Sequence, residues 1–195
     1  MGNDSSHSPY VHPEQEGLDA AYQLFSEGKY SQALPKLAGL EEREIYEASL
    51  YLGYMHQRGW GVDKDADQAL NHYLKSADSG SAIGAYYAGT LLEKLGKVED
   101  CAKYHTLAAR KGQIASAYAL FRLGNSGAAN VPESEAFLEQ AVRGGHFFAN
   151  REILIRMFRG RYGFVGRLKA IPMTFVALYR GAWLLANDPR SDKFH

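Results

Sequence analysis

The chain has 195 residues, 46% of them hydrophobic and 23% charged, with 22 Lys and Arg against 22 Asp and Glu. That apolar share is enough to bury a core, so composition excludes a wholly disordered chain, and zero net charge excludes a uniformly basic nucleic-acid binder. The single cysteine, Cys101, excludes an internal disulfide, and no Cys/His cluster has zinc-finger spacing, so no metal or other cofactor and a reducing, cytoplasmic setting are expected.

Residues 1–16 are polar and lack the apolar core of a secretory leader, which predicts a disordered tail. Residues 17–44 predict a helical hairpin. Its run from Ala21 through Gly28 and Tyr30 to Leu34 resembles the tetratricopeptide signature, in which an aromatic and a glycine close one helix and a tyrosine and an alanine open the next. Pro35 is compatible with the second helix if Ser31 is its N-cap, because the proline then falls in the first turn, where no amide is needed.

Residues 45–145 repeat themselves. Tyr51 and Gly53 recur 36 positions later as Tyr87 and Gly89, and the set Ala69, Tyr73, Ser76, Ala77, Gly80 recurs 32 positions later as Cys101, His105, Ala108, Ala109, Gly112. A looser third copy carries Ala117, Tyr118, Ala141, Val142 and Gly145. Small residues at fixed places allow close helix approach, and apolar residues at i, i+3 and i+4 supply a buried stripe, so each copy predicts a helix pair that buries its face only by stacking on a neighbour. Asp65 with Gln68 predicts an N-cap and its reciprocal partner, and Gly80 and Gly112 predict helix ends.

Residues 146–195 predict a degenerate fourth copy, since Ala48, Arg58, Gly59, Ala69 and Gly80 recur 101 positions later as Ala149, Arg159, Gly160, Ala170 and Gly181. Pro172 departs from that register, and the second helix of this copy begins there or is kinked. Charge is segregated: residues 1–150 carry a balance of −6 and residues 151–180 a balance of +6. The stretch from Ala170 to Ala186 is amphipathic and basic, with two readings left open, a cap on the repeat array or a helix lying on an anionic membrane surface through Arg161, Arg167, Lys169, Arg180 and Trp183.

The stretch from Ala48 to Ala82, with Gly59-Trp60-Gly61-Val62 followed by Asp65, resembles a nearly complete Sel1-like repeat, in the Sel1-like branch of the tetratricopeptide family. The resemblance implies an all-α solenoid of stacked antiparallel helix pairs and a non-enzymatic adaptor or scaffold role, often in bacterial envelope, secretion or signalling assemblies. A protein partner is then expected on the surface of the first helices, with Tyr51, Tyr54, Gln57, Tyr86, Tyr87, Thr90 and Tyr118 as contact candidates. No phosphate-binding loop or nucleophile elbow is present, so no catalytic residue is assigned, and no nucleic acid is expected. His72 and His105 are read as packing residues with no second metal ligand at helical spacing, and Cys101 as a small buried residue.

Overall fold

The computed structural model describes residues 13–159. The described residues form α1 (Pro13–Ser26), α2 (Tyr30–Glu42), α3 (Glu47–Arg58), α4 (Ala66–Asp78), α5 (Ala82–Lys94), α6 (Val98–Arg110), α7 (Ile114–Asn125), α8 (Ser134–Arg143) and α9 (Phe147–Phe158), and no strand occurs among them. None of these helices is long and apolar enough to cross a membrane. Residues 1–12 of the polar stretch expected to be a tail and most of the expected fourth copy, including Pro172, lie outside the described residues. α1 already covers residues 13–16.

The chain divides after Ala108 into two compact units. In the first, α1 pairs with α2 and α3 with α4, while α2 meets α3 and α4 meets α5. Its main core joins Leu18 and Ala21 of α1, Ala33, Leu37 and Leu40 of α2, and Ala48, Leu52 and Met55 of α3, all buried. A smaller cluster of Ala77, Ala85 and Ala108 joins α4, α5 and α6, with Tyr86, Tyr104 and Leu107 packed on it. Backbones approach closely where side chains vanish. A Cβ at Gly53 would overlap the Tyr73 ring, and one at its repeat equivalent Gly89 would lie 3.0 Å from the His105 ring. These glycines are therefore packing residues that admit a ring from the paired helix.

The helix ends follow local chemistry. Asp65 Oδ1 accepts from the Asp67 and Gln68 amides at 2.9 and 3.0 Å. Gln68 does not return the bond as expected, because the Asp65 amide donates instead to the His56 carbonyl, 2.9 Å away, tying the α3–α4 turn to the end of α3. Gly80 has φ +99°, and the Ser81 amide reaches back to the Ser76 carbonyl at 3.0 Å, closing α4 as its glycine predicts.

Pro35 requires a correction. α2 begins at Tyr30 behind Lys29, so Ser31 is not the cap and Pro35 stands inside the helix. The early start has a packing cause. Tyr30 stacks on Trp60 with centroids 4.9 Å apart, and it meets Phe25 edge-on. The Gly61 backbone sits so close to Tyr30 and Ser31 that a Cβ there would lie 2.9 Å from their backbone atoms. Tertiary contact thus draws Tyr30 into the helix, and α2 goes without the one amide bond a proline cannot make.

In the second unit α7 pairs with α8, and α9 follows on α8. Ala117, Leu120, Leu138, Ala141 and Ala149 form its buried interior. Arg156 is also inside, 6% exposed. Its guanidinium donates to Glu152 (2.8 Å), Glu135 (2.7 Å) and Asn125 (3.2 Å), and lies 4.9 Å over the Phe121 ring.

Candidate protein-interaction surface

Tyr51 and Tyr54 lie on α3 and Tyr86 and Tyr87 on α5, and all four are half-buried. The helices bring them into one ring network. Centroids are 6.3 Å apart for Tyr51–Tyr54, 4.7 Å for Tyr54–Tyr87 and 5.0 Å for Tyr86–Tyr87, and Tyr22 of α1 extends the series at 4.4 Å from Tyr51. Tyr73 rises from α4 into the same network, 5.9 Å from Tyr54 and 5.4 Å from Tyr87. Burial, and then the neighbouring phenols, push the Tyr22 and Tyr54 hydroxyls well above the ordinary tyrosine value. Both stay neutral and can donate a hydrogen bond across the biological pH range.

Two clefts open on this unit. The first, about 440 Å³, is lined by Tyr22, Tyr46, Glu47, Leu50 and Tyr51 on one side and by Ser76, Ser79, Gly80, Ser81 and Ile83 on the other. Ile83 is 48% exposed there, an apolar side chain at the mouth of an aromatic cleft. The second, about 420 Å³, combines Arg58, Lys64 and Lys94 with Leu91, Leu95, Ala66 and Gln57. Tyr51 and Gln57, named together from the sequence, therefore serve different clefts. Gln57 also has an internal task, since its Oε1 accepts from the Tyr73 hydroxyl at 3.0 Å. Thr90 is likewise occupied, donating to the Tyr86 carbonyl at 2.8 Å.

Tyr118 belongs to the second unit, where it stacks on His146 (4.5 Å) and Phe148 (6.2 Å). Phe147 and Phe148 beside it are exposed. His146 stands at the repeat junction as the N-cap of α9, accepting from the Ala149 amide. Arg161, Arg167, Lys169, Arg180 and Trp183 lie outside the described residues. Arg156, counted in the basic excess of that end, spends its charge inside the fold.

Two titratable groupings escaped the sequence reading. His72 is not only a packing residue: its Nδ1 lies 2.7 Å from Glu41 of α2, whose other carboxylate oxygen accepts from Lys75 at 2.8 Å. The expectation that no second ligand shares helical spacing with these histidines fails at His105. Cys101 stands one turn before it on α6, and Glu93 of α5 faces both, with the three donor atoms within 4.8 Å of one another. The i, i+4 spacing was visible in the sequence, whereas the approach of Glu93 depends on how α5 and α6 pair.

Residues 47–81 match the Sel1 repeat family. Chitin synthase regulatory factor 4 of Schizosaccharomyces pombe is 32% identical over 101 residues, which are 51% of this chain and 16% of that protein. The Sel1 repeat protein of Oxalobacter formigenes superposes with a TM-score of 0.74 at 22% identity, covering 85% of this chain and 68% of its own. A protective antigen of uropathogenic Escherichia coli with an SLR fold gives 0.73 at 20% identity, covering 86% and 38%. The chain carries a Sel1-like repeat, and its fold is the all-α helical-repeat solenoid of these structures.

Proposed function

Starting from a Sel1-like repeat fold, we propose that this chain is a non-enzymatic adaptor that binds a partner protein through the tyrosine-lined cleft of its first unit. The fold is generally a scaffold for protein–protein interaction, and proteins built on it are typically non-enzymatic interaction modules. The observation that carries the reading to a surface is the cleft of about 440 Å³ in which Tyr22, Tyr46 and Tyr51, all half-buried, stand beside exposed Ile83, with Tyr54 bracing Tyr51 and Tyr87 bracing Tyr54 through ring contacts. Rings already held by ring contacts present large area at little entropic penalty, which suits them as contact anchors. A cytoplasmic role in a bacterial envelope, secretion or signalling assembly is part of the proposal, and the S. pombe relative is named as a regulatory factor.

The test is affinity capture from extracts of the native host by the full chain and by two variants, Ile83→Glu and Tyr51→Ala. A protein retained reproducibly by the parent chain and weakened about tenfold or more by Ile83→Glu supports the cleft as the contact surface. Equal capture by all three chains moves the contact elsewhere.

A further inference from the structure

The first repeat and the second solve one packing problem with different chemistry. In the first, Gln57 on α3 meets Tyr73 on α4, the Tyr73 hydroxyl donating to Gln57 Oε1, and Ala69 fills the turn below Tyr73. At the equivalent positions 36 and 32 residues later, the second repeat carries Glu93, His105 and Cys101. All three replacements are metal-ligating types, and the fold brings their donor atoms within 4.8 Å of one another. Three residues that need only pack could have kept the alanine, tyrosine and glutamine that already pack in this architecture.

We infer that Glu93, Cys101 and His105 form a three-ligand site for a borderline-soft divalent metal, with zinc as the expected ion. A thiolate, an imidazole nitrogen and one carboxylate oxygen match the donor preferences of zinc, and in a tetrahedral zinc site such donors stand about 3.3–3.8 Å apart. Drawing the group together by about 1 Å reaches that geometry, a movement within the reach of side-chain torsions. Cys101 and His105 are 0% and 1% exposed, while Glu93 is half-buried, so the site opens to solvent on the Glu93 side and leaves a fourth position for water. Thiolate and carboxylate together neutralise the divalent charge, which removes the main penalty of burying it. Binding releases the thiol proton to solvent and leaves the imidazole neutral. Gly89 makes the room, since a Cβ there would press on the His105 ring from 3.0 Å, and the bare backbone lets that ring lie flat between α5 and α6.

The chain has one cysteine, which gives the test an unambiguous signal. The full-length protein, stripped with chelator and kept reduced, is titrated with Co²⁺ alone and then with Zn²⁺. The expected result is a near-ultraviolet thiolate-to-cobalt charge-transfer band that saturates at one equivalent and is displaced by zinc. A Tm rise of about 5–10 °C should accompany it at metal a hundredfold above Kd. Histidines elsewhere in the chain cannot produce that band. Cys101→Ala restores the first repeat's residue and should abolish the band and weaken binding by at least about a hundredfold. The triple variant Glu93→Gln, Cys101→Ala, His105→Tyr installs the first repeat's whole set and should fold without a metal-dependent Tm. The inference is overturned if the folded parent chain gives no charge-transfer band at millimolar Co²⁺, or if Cys101→Ala binds with unchanged stoichiometry and affinity. The parent-chain spectrum decides by itself should a variant fail to fold.

Discussion

At the scale of single residues, the histidines couple this fold to pH. His56 of α3 stacks on His72 of α4, centroids 5.2 Å apart and planes 18° from parallel, and its Nδ1 is buried with no hydrogen-bond partner. Burial first, and then the neighbouring His72, hold the His56 pKa below the ordinary histidine value, against weaker opposite pulls from Asp65 and Glu41. The folded pKa is depressed, so the unfolded chain takes the proton more readily, and His56 withdraws stability as pH falls below the unfolded value of about 6.5. Glu41 does not interfere in that window. Burial acts to raise its carboxyl, but hydrogen bonds from Lys75 and His72 outweigh burial, so its contribution is lost only at more acid pH. Thermal unfolding from pH 7.5 down to 5.5 should therefore show a falling Tm. His56→Leu, which installs the residue found at the equivalent Leu92, should flatten the slope and stabilise the chain at pH 5.5 by about 1 kcal/mol. An unchanged slope would show that another group carries the proton.

At the scale of the element, the helices were legible because their ends are chemical: Asp65 caps α4, and Gly80 and Gly112 take positive φ just past the ends of α4 and α6, as their residue types predict. Asp65→Ala removes the acceptor for two amides and should cost about 1 kcal/mol, seen as a Tm loss of about 2–4 °C, with α4 otherwise intact. What was not legible depends on contacts between elements. The true start of α2 is set by Tyr30 packing on Trp60 and Phe25, which no local rule around Ser31 encodes. The candidate surface divides in the same way. Tyr51 and Tyr54 share a face of α3 because they are three residues apart, and the sequence displays that spacing, whereas the meeting of Tyr54 with Tyr87 depends on how α3 and α5 stack. The assignment of Gln57 to Tyr73, the burial of Arg156 and the meeting of Glu93 with His105 each require the register of two helices. That register is set by link length, seven residues between α3 and α4 against three between α5 and α6. The shortened link accounts for the four-residue contraction in the repeat offset, while Gly53 and Gly89 keep the same close approach in both pairs.

At the scale of the whole molecule, charge segregation distinguishes the protein-adaptor reading from a membrane-surface one. Residues 1–150 carry −6 and residues 151–180 carry +6; Arg156 pairs with Glu152 and Glu135, and because Glu152 is already in that balance, the excess rests on Arg151, Arg159, Arg161, Arg167, Lys169 and Arg180. Each basic side chain near an anionic bilayer contributes about 1 kcal/mol, and the acidic remainder of the chain opposes the approach. If Arg161, Arg167, Lys169 and Arg180 engage a membrane surface together, the full chain should sediment with vesicles containing phosphatidylserine at low ionic strength and not with phosphatidylcholine vesicles. Replacing all four by glutamine should then lower the partition by about a thousandfold, and 0.5 M salt should abolish it, since screening contracts the Debye length to a few ångströms. Absence of sedimentation at low salt removes lipid as a partner and assigns the basic sequence to the protein itself or to an acidic partner protein. In that case truncation at Gly166 should lower Tm and change nothing in vesicle binding, because a segment that completes a repeat array contributes through buried apolar area, which salt does not screen.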